Sequence, residues 1–583
     1  MMILKYVSKK EWFIAALCVI AVVANVYLEL KIPDYMNQIT TVISTGGEVH
    51  EVMREGGEML LCAFGSLIAT VICAVMASYV ATSFSMRIRE LEFNNVQSFS
   101  MEEMDRFSIS SLITRSTNDI TQIQTTMAMG LQVMIKAPIM AVWAISKIYT
   151  KNLEWTAATA IAVIIMLVMI GCVMYYVIPR FRRIQWLTDN VNRVTRENIT
   201  GIRVIRAYNA EDYQDRRFED ANKDLTDTNL SAQRAMAFMM PGMSAIMNGL
   251  SLSIYWIGAI LIAGTASMTD QFVLFADMVV FSSYAMQVIM SFIMLVVIFM
   301  ILPRASVAAK RVEEVIETEP SISNGTVTDT SGITGRIAFE NVSFGYPGAS
   351  GPTVSDISFE VSKGETLAII GSTGSGKSTL INLIPRLYDV SEGSVKVDGV
   401  DVREYDLETL RRKIGYVSQK AFMFAGSIES NVNYGADSGE RTIQDVERAV
   451  DIAQAEEFVK GLENGYGSEI SQNGTNLSGG QKQRLSIARA ICKSPEIYIF
   501  DDTFSALDYR TDMVLRKELK RKIEGATSII VAQRVGTIMD ADRIIVLDGG
   551  RIAGMGRHEE LLHDCPLYLE IVRSQMTDEE ARL

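Results

Sequence analysis

The string GSTGSGKST at 371–379 holds the residue types and spacing most committed to one chemistry. It satisfies G-x-x-x-x-G-K-[ST], with Gly371 and Gly376 at the fixed glycines, Lys377 at the lysine and Ser378 at the hydroxyl. Glycines permit a turn whose backbone N–H groups close on phosphate oxygens, so Ser372, Thr373, Gly374 and Ser375 act through the loop they form. The N-terminus of the helix that follows adds partial positive charge, the lysine reaches the outer phosphates, and Ser378, followed by Thr379, is placed to ligate magnesium. Two elements must hold this loop. The apolar run TLAII at 366–370 reads as a buried strand, and LINLIPRLY at 380–388 as the helix that follows it.

Composition separates the chain into two kinds of material. It has 583 residues, 49% of them hydrophobic, and a mean hydropathy of +0.18, high for a soluble protein. A membrane part joined to a soluble part accounts for both. The net charge of −13 gives no basic footprint for nucleic acid. The six cysteines show no paired spacing and lie mostly in apolar runs, which reads as buried thiols with neither a metal nor a disulfide implied.

Six runs are long enough to cross a bilayer: about 13–30, 59–84, 127–149, 153–178, 243–264 and 272–302. The lysines of MMILKYVSKKEW precede the first, as in an interfacial helix feeding a span. Arg87 and Arg89, then Arg180, Arg182 and Arg183, then Arg304, Lys310 and Arg311 all fall on the N-terminal side, which the positive-inside rule makes cytoplasmic; Lys147 and Lys151 are a mild exception. The inward segments 85–126 and 179–241 are long, charged and helix-compatible, so paired helices must project from the membrane there. Within the spans, Lys136 and Asp277 are ionisable at membrane depth. Two readings stand for each: contact with a charged substrate, or a bond from helix to helix. Methionines concentrated in the last two spans are either a soft cavity wall or packing.

Periodicity fades after Pro303 into a Pro, Ser and Thr stretch, which places a membrane domain at 1–304, a linker at 305–335 and a soluble domain at 336–583. In the last, strand-like and helical runs alternate, as in an α/β nucleotide-binding domain with a helical insert, and Tyr346 stands where a ring can stack on a base.

The string LSGGQ at 477–481 completes the set. With the phosphate loop, it makes the chain resemble a bacterial ABC exporter half-transporter over nearly its whole length. The resemblance implies a membrane all-α six-helix domain fused to a cytoplasmic α/β P-loop ATPase domain, in the cell membrane with both termini inside. It also implies two chains per transporter, with ATP and Mg2+ sandwiched between the phosphate loop of one and Ser478, Gly479, Gly480 and Gln481 of the other. FSISSLITRSTNDI (107–120) and the segment 200–220 resemble the loops whose tip helices press on the ATPase domains; alone, each would be a solvated hairpin. By the same matching, Gln419 stands at the Q-loop and contacts magnesium. Asp501 in IYIFDD resembles the magnesium-holding Walker B aspartate, and Asp508 in SALD the loop that crosses the dimer.

Departures from the family pattern carry the sharpest expectation. Asp502 stands where the family has a catalytic glutamate, shortening its reach by roughly one C–C bond. Gln533 stands where it has a switch histidine, and the only histidines, His50, His558 and His563, are elsewhere. A neutral amide can bond phosphate but cannot shuttle a proton. Gln472 likewise replaces a frequent glutamate. The resulting expectation is a half that binds ATP, hydrolyses it weakly, and lends an intact signature to a second half-transporter, in a heterodimer exporting amphipathic small molecules or drugs. A slow homodimer, a lipid or peptide translocator and an ATP-gated sensor remain as alternatives.

Overall fold

The computed structural model describes residues 2–44, 46–149, 151–328, 334–435, 441–523 and 525–576. It divides into two compact units: Met1–Asn95 with Ser110–Thr318, and Val96–Ile109 with Glu319–Leu583.

The first unit is helical. Among the described residues six helices are long and apolar enough to cross a membrane, matching the number expected. Three of them far outrun the bilayer. Val49–Ser98 and Met268–Glu317 have 50 residues each and Leu153–Thr200 has 48. At about 1.5 Å per residue these are rods of about 70–75 Å, more than twice the ~30 Å apolar layer. The surplus forms the projecting helices that the charged segments 85–126 and 179–241 foretell. Inside the unit, Cys18, Val22, Val26 and Leu30 form an i, i+4 stripe on Lys9–Ser44 that is buried against the neighbouring helices. Trp155 packs against Phe281 with ring centroids 5.3 Å apart. Apolar side chains on the opposite faces, such as Leu61, Val142 and Ile164, are left exposed.

The structure corrects two boundaries. The last long helix does not end near residue 304 but continues to Glu317. Hydropathy falls there because the helix leaves the apolar layer. KRVEEVIE is a good helix-forming sequence, and its charges bind neighbours within the unit: Arg311 pairs with Asp119 at 3.2 Å, Glu314 with Arg115 at 2.8 Å, and Glu317 with Lys5. Residues 329–333 of the expected linker lie outside the described residues. The first tip helix is Met101–Phe107, ahead of the stretch 107–120, which instead forms Ile109–Thr114 and a wider π turn at Arg115–Asp119. A capping box starts Met101–Phe107: the Ser100 hydroxyl accepts from the first-turn backbone, while Glu103 Oε2 accepts from Ser100 N at 2.8 Å. The second tip helix, Ile202–Ala207, falls within the expected segment 200–220.

The second unit has a six-stranded sheet in the order Arg551–Gly556, Arg543–Asp548, Thr366–Gly371, Thr527–Val531, Ile497–Asp501, Ile414–Val417. All its pairings are parallel except that of the first two. A four-stranded antiparallel sheet, Val354–Val361, Ile337–Phe344, Glu392–Val397 and Val400–Asp401, packs its apolar face into the same core. The central strands are nearly continuous apolar runs because both faces are covered. The helical insert, with Ile443–Ile452 and Gly479–Cys492, packs Val446, Val450, Leu485 and Ala488 in a cluster shared with Val417 and Phe500 of the six-stranded sheet.

Glu103 is the buried polar centre of the tip-helix segment. Its carboxylate accepts from Ser100 N, from Ser100 Oγ at 2.6 Å and from Ser321 N at 3.1 Å. Burial pushes this carboxyl up, and the bonds from Ser100 and Ser321 more than offset that, leaving it below its ordinary value. Its stabilisation is therefore full above about pH 4.5, the unfolded value, and is lost as pH falls through the lower folded value. Glu103→Ala strands both backbone donors. In full-length protein, hydrogen exchange should show the opening free energy of 100–107 falling by about 2 kcal/mol, whereas exposed Glu102→Ala should move it by less than about 0.5 kcal/mol.

Candidate nucleotide site

The phosphate loop joins the strand Thr366–Gly371 to the helix Lys377–Leu383, as the sequence context requires. Gly374 and Gly376 have φ of +85° and +94°. A Cβ on Gly376 would lie 2.6 Å from Val354 Cγ1, so both conformation and space demand glycine there. Lys377 is buried, and its Nζ donates to the carbonyls of Gly371 at 2.9 Å and Ser372 at 2.7 Å. The ammonium is thus folded back on its own loop, where burial lowers its pKa against the pull of Asp502 and Asp501. Ser378 Oγ donates to Asp501 Oδ1 at 3.0 Å. Burial raises the Asp501 carboxyl, opposed by the Ser378 bond, and nearby Asp502 raises it further.

Ser378 and Asp501, in direct contact at the mouth of the loop, have the oxygen donors that magnesium prefers. Among the described residues no three His, Cys, Asp or Glu converge, so this chain would hold the ion only together with nucleotide phosphates. Magnesium held in that way would neutralise phosphate charge, and Lys377 and the loop amides would orient the phosphates.

Asp502 stands just past the strand Ile497–Asp501 with φ +43°, a left-handed conformation that aspartate tolerates. Both neutral amides point at one of its oxygens. Gln419 Nε2 donates to Oδ2 at 3.0 Å and Gln533 Nε2 donates to the same atom at 2.9 Å. The structure thus gathers Lys377, Ser378, Gln419, Asp501, Asp502 and Gln533 around one edge of the sheet. Tyr346 is half-buried beside them. Its hydroxyl lies 3.1 Å from Thr379 Oγ1, and its ring is held edge-on by Phe344 and Tyr388.

The other candidates are placed differently. Ser478 caps Gly479–Cys492: its Oγ accepts from Gln481 N at 3.3 Å and its N donates to Gln481 Oε1 at 2.8 Å. Ser478 and Gly479 are exposed, Gly480 less so, and no hydrogen bond among the described residues ties them to the loop 371–379. Asp508 caps Tyr509–Lys522 by accepting from Thr511 N at 3.0 Å. In the first unit, Lys136 donates to Glu29 Oε1 at 2.7 Å, and Asp277 accepts from Lys151 and from Asn37. Both ionisable groups thus engage other helices.

Three residues escaped the sequence reading. Glu29 and Asp34 sit at the end of an apolar run, and their partners Lys136 and Lys147 are more than a hundred positions away. Gln575 brackets the loop carrying Gln533: its Nε2 donates to Gln533 O at 2.8 Å and its Oε1 accepts from Val535 N at 2.9 Å. Nothing in its local pattern marks it.

Comparison with known proteins bears on the whole chain. Residues 15–292 match the ABC transporter transmembrane region model, and residues 354–505 match the ABC transporter model. An uncharacterised ABC transporter ATP-binding protein of Mycobacterium bovis is 39% identical over 536 residues, 91% of this chain and 90% of the other. This chain is an ABC exporter half-transporter. A second relative of the half-transporter, an uncharacterised ABC transporter ATP-binding protein of Bacillus subtilis, is 34% identical over 96% of each chain. An ATP-dependent lipid A-core flippase of Pseudomonas fluorescens is 32% identical over 82% of this chain and 78% of its own. The fold matches the structure of a bacterial Atm1-family ABC exporter with ATP bound, with a TM-score of 0.79 over 98% of this chain and 99% of that one at 24% identity. The half-transporter is thus a multi-pass membrane protein with a cytoplasmic ABC ATPase domain that binds ATP and drives export.

If Tyr346 is the base platform of this half-transporter, Tyr346→Ala should raise the dissociation constant for ATP by about tenfold or more in equilibrium binding, as loss of one aromatic–base stack does. Tyr346→Phe, which retains the ring and loses only the hydroxyl facing Thr379, should stay within about threefold.

Proposed function

We propose that this chain is the hydrolytically weak half of a two-chain exporter for amphipathic small molecules. It holds ATP and Mg2+ at its own phosphate loop through Lys377, Ser378 and Asp501, and offers Ser478–Gln481 to the competent site of a second, different half-transporter. The observation that carries this reading is the double amide bond to Asp502 Oδ2. A general base needs a free lone pair within reach of the attacking water. Here the side chain is one methylene shorter than glutamate, and one of its two oxygens is already the acceptor of Gln419 and Gln533. Gln533 also lacks the imidazolium charge that would stabilise a departing phosphate. Slow turnover with retained binding is the expected result, and ATP binding rather than hydrolysis here would hold the two ATPase domains closed.

The relative named as a lipid A-core flippase favours a second reading, in which the cargo is a lipid moved between leaflets. Both readings share alternating access, and they differ in whether the cargo leaves the bilayer.

Steady-state ATPase activity of the full chain, purified alone in lipid vesicles, tests the weak-half reading. It should be low, while the variant Asp502→Glu, Gln533→His should exceed it by at least about tenfold, a modest share of what a positioned base contributes. Brisk turnover by the unaltered chain, indifferent to the two substitutions, would instead make it a self-sufficient homodimer.

A further inference from the structure

The first unit contains a cavity of about 670 Å³ walled by four of its long helices. Such a volume accommodates a polar headgroup with the start of a hydrocarbon chain. Its polar wall is built around the Glu29–Lys136 pair, bonded at 2.7 Å, with each side chain about one-quarter exposed (26% and 23%). The pair is therefore neither locked in the core nor released to solvent. Beside it, Gln287 also lines the cavity. On the same helix Met286, Met290 and Met294 follow at i, i+4, i+8 and supply a deformable apolar strip.

We propose that this cavity binds an amphiphile with a zwitterionic headgroup, an ammonium a short spacer away from a phosphate or carboxylate, as cargo of the exporter. The proposal deepens the reading of the chain as a carrier of amphipathic molecules and rests on it. The argument concerns charge balance. A cationic amphiphile that takes Glu29 strips Lys136 of its partner, and an anionic one that takes Lys136 strips Glu29. Either leaves an uncompensated charge in an apolar unit, the expensive outcome for any membrane ion pair. A neutral ligand gains nothing from the pair. A zwitterion alone opens the pair and replaces both halves, its anion on Lys136 Nζ and its ammonium on Glu29. The hydrocarbon then lies along the methionine strip.

The test is equilibrium binding to the full chain in alkyl maltoside micelles without nucleotide, using radiolabelled twelve-carbon amphiphiles that differ only in headgroup: phosphoethanolamine, primary ammonium and methyl phosphodiester. The zwitterion should bind at least about tenfold more tightly than either singly charged probe. Lys136→Met should shift the preference to the cation, and Glu29→Gln to the anion. The exchange Glu29→Lys, Lys136→Glu should restore preference for the zwitterion and so separates lost recognition from lost folding. Headgroups binding within about threefold of one another, no retention of any probe, or variants that weaken all three equally would each overturn the proposal. No ATP is hydrolysed in this assay, so failure of the weak-half reading leaves its outcome unchanged. Equally, failure here leaves the turnover comparison intact.

Discussion

Parallel pairing in a single register is the constraint on which the nucleotide site depends. Val531 lies opposite Ile369 on one side and Asp501 on the other, while Gly371 pairs with Leu547. The carboxyl ends of these strands therefore open at one edge, and Gly371, Asp501 and the segment leading to Gln533 emerge side by side. Ala532 N donates to Ile369 O and Asp502 N to Val531 O, extending the ladder past the strand ends into the catalytic segment. A slip of one residue would turn Asp501 to the opposite face of the sheet and empty the site without altering any residue in it.

Two sites handle buried charge in different ways. At the nucleotide site two neutral amides donate to Asp502 Oδ2 and occupy one of the carboxylate's two oxygens. In the membrane unit carboxylates are met by cations: Glu29 by Lys136, Asp34 by Lys147, and Asp277 by Lys151. Amide bonds to Asp502 fix a geometry without a net charge cost. Ion pairs between helices are exchangeable, because any ligand bearing the same two charges can stand in for them. The first arrangement suits a site that must hold still around ATP, and the second a site that must take up and let go.

Much of this was legible in the sequence where the determinants are local. The phosphate loop declares itself because glycine, lysine and serine must recur at fixed offsets, and the six spans because a bilayer demands long apolar runs. The signature string was readable, though not that Ser478 and Gln481 bond each other to start a helix. Local strength also misled. The apolar residues of 107–120 drew attention from the polar capping box of Ser100 and Glu103, which starts the actual tip helix. Fading hydropathy after Pro303 marks the end of the apolar layer, while the helix itself runs on to Glu317. The partners of Lys136 and Asp277, and the grip of Gln575 on the Gln533 loop, join residues 40 to 240 positions apart and leave no periodic trace.

The segment Val96–Ile109 belongs structurally to the ATPase unit although the chain encodes it between two membrane helices. Glu103 accepts from Ser321 N, and the Tyr388 hydroxyl donates to Asp105 Oδ2 at 3.1 Å, so this insert and the main ATPase body share a polar contact set. The unit is therefore discontinuous in the gene. A recombination event that exchanged everything after residue 318 would import a foreign Ser321 and Tyr388 while leaving Glu103 and Asp105 behind. An ATPase domain grafted at residue 318 would therefore meet the tip-helix segment without the partners that Glu103 and Asp105 have here.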